Sequence, residues 1–341
     1  MKFGPVPVTE AVGKILGHNV TGPDGRRIFR KGKPLAPDDV KRLQQLGRRT
    51  IYVAELEDGD VNEDTAAWRI AENLCDGEFR LSGPSAGRVN LYTTALGVIR
   101  VDTTRLMQIN RCDGVTLATL RNNSAVRAGK VAATLKILPY AIPEETVQAA
   151  ESLAAKNGPL LRMDRLRSRR VSLILSGSPL AQDRIIRSFD SALSRRLEAL
   201  GASIDTVDFV SLDEEEDENS LAQMVGRRVR EGAQLIILAG ETAIMDRHDI
   251  APRAVEKAGG KVICFGAPVD PGNLLMLAQV NGVPVMGAPG CARSPKDNIV
   301  DLVLPRLLAG DMLDSADIVA LAHGGLLEDV PERPSPRSRL T

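Results

Sequence analysis

From Val171 the chain reads VSLILSG (171–177), a buried-type apolar strand that ends in glycine. Residues 181–200 follow as an amphipathic helix stopped by Gly201, and SIDTVDFVSL (203–212) is the next strand. DEEEDE (213–218) then leads into the helix SLAQMVGRRVREG (220–232), acids before a helix start suiting the backbone dipole. The strand AQLIILAG (233–240), the helix DIAPRAVEKAGG (249–260) and the strand KVICFG (261–266) continue the alternation. NLLMLAQVNGVPVMGAPG reads as a hairpin turning at Asn281-Gly282, and a last helix spans about Ser294 to Leu308. Strands alternating with helices of about 10–15 residues imply an α/β domain over 170–312, a three-layer, mostly parallel sheet covered on both faces.

Outward from this block the character changes. Residues 1–60 read as a small α+β unit: an apolar-periodic stretch from Val6 to Val20, a turn at GPDGRR (22–27), a helix PDDVKRLQQLG opened by Pro37, and the strand TIYVAEL (50–56). Residues 61–160 read as a β-rich domain with a helix over 62–76 and the helical connector ETVQAAESLAAK (145–156); its β runs are GRVNLYTTALGVIRVD, GVTLATL and KVAATLKILPYAI. The Arg-rich RMDRLRSRR (162–170) reads as a solvated linker, or as a rim for an anion. Residues 325–341 are expected to be a disordered tail or linker.

Composition narrows the function. The 341 residues carry 44 basic and 44 acidic side chains, so no excess charge points to nucleic acid or a membrane surface. Aromatics are 3%, too few for a base-stacking platform. No run of ~18 apolar residues could cross a bilayer, and the first residues lack the apolar core of a secretory signal. Four cysteines, 75, 112, 264 and 291, form no CxxC pair or metal spacing, which reads as a reduced, cytoplasmic chain.

In an open parallel sheet the ligand belongs at the carboxyl ends of the strands. Small-residue loops follow those ends: Ser176-Gly177-Ser178-Pro179, then Ala239-Gly240-Glu241-Thr242 on to Asp246-Arg247-His248-Asp249, then Asp270-Pro271-Gly272, then Pro289-Gly290-Cys291-Ala292-Arg293. Three lead to or near helix N-termini, where free N–H groups favour an anion, so the expected ligand is a phosphorylated or otherwise anionic small molecule. Arg247 and Arg293 match phosphate geometry, His248 could donate to one, and Asp246 reads as a cap-like or ligand residue. Cys291, just before a helix start, reads either as a stabilised thiolate or as packing. His18 and His323 receive no role.

At these loops the chain resembles the molybdopterin-binding domain shared by molybdopterin adenylyltransferases, molybdopterin molybdenumtransferases and competence-damage proteins. The family's Thr-Gly-Asp-Glu, Gly-Gly-x-Ser-x-Gly-x-x-Asp, Lys-Pro-Gly-Lys-Pro and Leu-Pro-Gly-Asn-Pro are matched by LSGSPL, LAGETAIMDRHD, PVDPGNLL and GAPGCARSP. Upstream, VPVTEAVGKILGHNV, GRVNLY and KILPYAIPE resemble the front part of bacterial fusions with a molybdenum-cofactor nucleotidyltransferase domain. The departures are specific. Ser178-Pro179 replaces the acidic pair, the family's helix Asp falls on Arg187 with Asp183 and Asp190 nearby, and the third loop has no lysine.

The resemblance implies a protein of molybdenum cofactor biosynthesis that binds molybdopterin, or a molybdenum or nucleotide form of it, and presents it to a separate cytidylyl- or guanylyltransferase. The expected binding set is Ser176, Gly177, Ala239, Gly240, Thr242, Asp246, Arg247, Asp249, Asp270, Pro271, Gly272, Pro289, Gly290 and Arg293, with Asp246, Asp249 or Asp270 meeting pterin N–H groups or Mg²⁺. No catalytic residue and no resident metal site are assigned. The alternatives are an active molybdenum insertase or molybdopterin nucleotidyltransferase, a binder of another phosphorylated metabolite, and a redox sensor using Cys291. Residues 1–160 are expected to serve a homo-oligomer, dimer or trimer, or to complete the cleft.

Overall fold

A computed structural model of the chain describes residues 1–212 and 217–327. The described residues pack as two units, residues 1–95 with 99–163, and residues 96–98 with 164–212 and 217–327. Among the described residues no helix is long and apolar enough to cross a membrane.

The first unit begins with the strand Lys2–Pro7, paired antiparallel to Thr50–Glu55 with Phe3 opposite Ala54. The helix Pro37–Gln45 has proline at its start, where the missing N–H costs nothing, and it buries Val40 and Leu43 against Leu16, Phe29 and Val53. A four-stranded antiparallel sheet follows, in the order Val115–Thr119, Val131–Ile137, Arg88–Thr93, Phe79–Leu81. The helices Glu63–Glu72 and Glu144–Ala155 pack on its core and are clamped together by Arg69, which donates to Glu144 Oε2 at 2.7 Å and to Glu151 Oε1 at 2.9 Å. Besides the five-residue Ser315–Val319 of the second unit, the sequence reading missed one helix, Thr103–Ile109. At seven residues it is too short to show a period. Its start is set by the Asp102 carboxylate, which accepts the Arg105 N–H at 2.9 Å, and Arg105, 8% exposed, donates to the carbonyls of Gly158 and Pro159 at 2.7 and 3.0 Å.

In the second unit the elements are β1 (Arg170–Gly177), α1 (Gln182–Ala199), β2 (Ser203–Ser211), α2 (Asp217–Arg230), β3 (Leu235–Gly240), α3 (Ile250–Lys257), β4 (Lys261–Phe265), β5 (Met276–Val280), β6 (Val283–Gly287) and α4 (Ile299–Ala309). The six strands form one mixed sheet in the order β2-β1-β3-β6-β5-β4. β2, β1, β3 and β6 are mutually parallel; β5 runs against both β6 and β4. The β5–β6 turn is Asn281-Gly282, both at positive φ (48° and 82°), as a two-residue hairpin requires.

Successive residues of the central strands enter two different cores. Leu173, Leu175, Leu235 and Ile237 pack with α1 and α4, whereas Ile174, Ile236 and Leu238 pack with α2 and α3. That is why these strands read as unbroken apolar runs rather than alternating ones.

Two helix starts in this unit differ from the sequence reading by three residues or more. α4 starts at Ile299, not Ser294, because Asn298 takes the capping position: 1% exposed, its side-chain oxygen accepts the Val300 N–H at 3.0 Å. α2 starts at Asp217, three residues early; residues 213–216 of the acidic run, and the tail from 328 onward, lie outside the described residues.

Candidate functional site

Because β1, β3, β6 and β4 point the same way, the loops that follow them leave one edge of the sheet. β1 and β3 lie side by side with Ser176 opposite Gly240. After β1 the chain turns to the α1–α4 face, and after β3 to the α2–α3 face. Neighbouring strands whose chains depart to opposite faces leave a crevice between their ends, the usual ligand position of such sheets. A cavity of about 80 Å³ lies here, lined by Ser176, Ala239, Gly240, Thr242, Asp249 and Ala288 among others. Of the fourteen residues of the expected set, five therefore meet in one cavity.

A carboxylate the sequence reading did not single out bridges the two strand ends, beside the cavity and outside its lining. Glu241 Oε2 accepts the Ser178 backbone N–H at 3.0 Å and the Ser178 hydroxyl at 2.9 Å, while Oε1 accepts from the Arg184 guanidinium at 2.9 Å. The Glu241 N–H donates to the Ser176 carbonyl at 2.8 Å, fixing the residue across the β1–β3 gap. These bonds, the Ser178 N–H first, hold the Glu241 carboxyl below its ordinary range. The first loop carries no acidic side chain at Ser178-Pro179, and the neighbouring loop supplies a carboxylate to it. Gly177 permits this approach: a Cβ there would lie 2.7 Å from Ile185 Cδ1 and 2.8 Å from Glu241 Cβ.

Arg293, expected to meet phosphate, already has partners. It donates to the carbonyls of Gly240 and Glu241 at 2.8 and 3.1 Å, and its guanidinium lies over the Phe189 ring, 4.6 Å from the centroid. It ties the β6 loop to the β3 loop. That β6 loop is held from beneath by Arg196 of α1, unremarked in the sequence, which donates to Asp301 Oδ1 at 2.9 Å and to the carbonyls of Ala292, Ser294 and Lys296 at 3.1, 2.8 and 3.0 Å. Pro289 is buried and Gly290 exposed in the single 3₁₀ turn Gly290–Arg293.

The β3 loop carries Asp246, Arg247 and His248, all exposed and outside the cavity lining. Asp246 accepts the His248 N–H at 2.8 Å. Asp249 precedes α3, but its carboxylate turns back to the loop and accepts the Met245 and Asp246 N–H groups, the latter at 3.1 Å. The loop after β4 is anchored elsewhere. Asp270 pairs through its backbone with Gly325 (2.8 Å) and Leu327 (2.9 Å), the Asp270-Pro271 bond is cis, and the Pro271 carbonyl accepts the Ile299 N–H at 3.1 Å. Gly272 sits against α4 so closely that a Cβ would lie 2.4 Å from Ile299. Asp270, Pro271 and Gly272 thus pack against the start of α4 and residues 325–327 and do not line the cavity. Among the described residues no three His, Cys, Asp or Glu side chains are grouped to hold a metal ion.

The stabilised-thiolate reading of Cys291 is corrected. No long helix starts behind it, since α4 begins eight residues later, and burial pushes its thiol up from the ordinary value. A redox role resting on an activated Cys291 loses its basis.

Comparison with known proteins gives the following. A family model described as a domain of unknown function (DUF8806) matches residues 5–55. No curated protein matches the chain. Among solved structures, a molybdopterin biosynthesis MoeA protein of Pyrococcus horikoshii is 13% identical with a TM-score of 0.30, over 90% of this chain and 75% of that one. A molybdenum cofactor biosynthesis protein of Pyrococcus furiosus is 12% identical with a TM-score of 0.26, over 94% of this chain and 65% of that one. A second MoeA structure from Pyrococcus horikoshii is 11% identical with a TM-score of 0.28, over 94% and 75%. At these TM-scores the likeness carries no argument about this chain.

Proposed function

We propose that the α/β unit, read as a three-layer domain, binds molybdopterin or a molybdenum or nucleotide form of it during molybdenum cofactor biosynthesis, and presents it to a partner transferase. The observation that carries this reading is the crevice between β1 and β3, in a stretch whose four loops resemble those of the molybdopterin-binding domain in order and spacing. On this reading an anionic group sits at the strand ends beside Ser176, Gly240 and Thr242 of the cavity, and the Ser178 N–H and Arg184, outside the cavity lining, become its partners once Glu241 swings away. The cavity, about 80 Å³, is below the ~300 Å³ at which small-molecule pockets begin, so it takes only the anionic end of the ligand. The remainder lies across the exposed β3 loop, within reach of Arg247 and His248.

Presentation is favoured over catalysis by what the aspartates do. Of the three aspartates on offer to Mg²⁺ or pterin N–H groups, Asp246 accepts the His248 N–H, Asp249 accepts two loop N–H groups, and Asp270 sits on a loop docked against α4, which speaks for binding rather than metal-assisted transfer. The rim also suits a protein partner: Leu180, 101% exposed, follows β1, and Met245, 66% exposed, follows β3. Cytoplasmic location and a homo-oligomer remain part of this reading.

The test is a fluorescence titration of the full chain with molybdopterin, beside Glu241→Gln and an Asp246→Ala/Arg293→Ala double variant. Micromolar binding, lost in the double variant and tightened about tenfold in Glu241→Gln, supports the reading. No binding at about 100 µM, near −5.5 kcal/mol, overturns it and leaves the alternative of another phosphorylated metabolite. Turnover with Mg²⁺ and a nucleoside triphosphate or molybdate would instead favour the transferase alternative.

A further inference from the structure

A second, larger cavity of about 990 Å³ lies wholly within the first unit. That is the upper end of the range for small-molecule sites, ~300–1,000 Å³. In a chain with 3% aromatics, three rings line it: Phe3, His18 and Tyr140. Phe3 and His18 meet edge to face with centroids 5.7 Å apart, Tyr52 packs beside both at 5.9 and 5.4 Å, and the Tyr140 hydroxyl donates to the Gly17 carbonyl at 2.9 Å. The rings are therefore held in place, yet Phe3 is 47% exposed and Leu138, at the same cavity, 62%. Apolar faces fixed in this way and left open to water mark a place where something planar stacks.

The charges select among planar molecules. Besides the Met1 ammonium, which is paired with Glu57 and Asp60, three cations line the cavity: Lys31, Arg88 and Lys136. Lys136 is used internally, donating to Glu63 Oε2 at 3.1 Å and to the Ala86 carbonyl at 2.6 Å. Among the described residues Lys31 and Arg88 have no carboxylate partner. Of the lining carboxylates, Glu63 is taken by Lys136 and Asp113 alone is left. Two cations and one carboxylate remain, so an anion is attracted, and Asp113 can accept from a ring N–H.

We infer that the first unit holds a second binding site, for a planar heteroaromatic molecule bearing an anionic group, with the ring against Phe3, His18 and Tyr140 and the anion toward Lys31 and Arg88. The inference is independent of the crevice in the α/β unit.

The experiment titrates the full chain with two such anions, flavin mononucleotide and guanosine 5′-monophosphate, beside riboflavin, guanosine and inorganic phosphate. At least one nucleotide is expected to bind at micromolar concentration, its uncharged counterpart about tenfold or more weaker, and phosphate alone not at all. Arg88→Ala is expected to erase the preference for the anion while leaving the uncharged ring's affinity nearly unchanged; Phe3→Ala weakens both. Circular dichroism confirms folding, and His18→Ala replaces Phe3→Ala should that variant fail to fold. Glu241→Gln leaves this binding unaltered. The inference is overturned if neither nucleotide binds at about 1 mM, or if binding survives both Arg88→Ala and the ring variant, or if it moves with Glu241→Gln instead.

Discussion

Glu241 shows what one residue contributes at several levels: it joins β1 to β3, ties the Ser178 N–H and hydroxyl to its carboxylate, and places the protein's own negative charge between the two loops. Glu241→Gln keeps the shape and removes the charge. At neutral pH it is expected to lower stability, read as a shift of the urea midpoint to lower concentration. The sign with pH follows from a carboxyl held below its ordinary value of 4.5. Its contribution is fully present above that value and lost as pH falls through the lowered one, so wild type and variant converge at strongly acid pH. Arg293→Ala removes both the carbonyl tether and the cation over Phe189; a loss of about 1–2 kcal/mol and faster amide exchange at residues 240–245 are expected. Single residues of this kind were the least legible part of the sequence. Glycines after strands could be seen in the text, whereas a carboxylate reaching sideways to the next loop has no local pattern.

Among elements, order and type in the α/β unit were readable because the inner strands β1, β3 and β5 are buried on both faces and each helix on one. Those constraints write unbroken apolar runs and a 3.6-residue period directly into the sequence. Boundaries decided by caps were read less well: α4 by five residues, and the helix Thr103–Ile109 not at all, since Asn298 and Asp102 act through specific hydrogen bonds. The loop after β6 illustrates an element held by another's side chain. Arg196→Ala is expected to cost about 3 kcal/mol, as breaking a largely buried ion pair does, and to loosen residues 290–298. Arg196→Lys should recover less than half of that, because one ammonium cannot serve Asp301 and three carbonyls together. Chemical denaturation of the two variants decides the point: equal recovery would reduce Arg196 to a point charge.

For the whole molecule, a chain packed as two units is expected to unfold in two thermal transitions, one for each. A ligand of the α/β crevice at about 100 times its Kd adds about 2.7 kcal/mol to one unit only, so calorimetry should show one transition move and the other stay. A single transition that moves as a whole would refute the independence of the units. The first unit's short strands, split among several small sheets, gave the sequence little periodicity to display, and its 990 Å³ cavity is assembled from segments far apart in the chain, Phe3 and His18 with Arg88 and Tyr140. Only folding brings those together, which is why His18 carried no meaning in the text. The closed state of the α/β crevice has a last consequence for selectivity. A tethered carboxylate competes at an effective concentration on the order of millimolar or higher. If the crevice binds as proposed, inorganic phosphate and other small free anions must outbid it with no additional contacts, and they are expected to be turned away. A ligand with a large body spreading over the exposed β3 loop would offset the displacement of Glu241, so the proposed site would respond to the size of what carries the charge rather than to the charge alone.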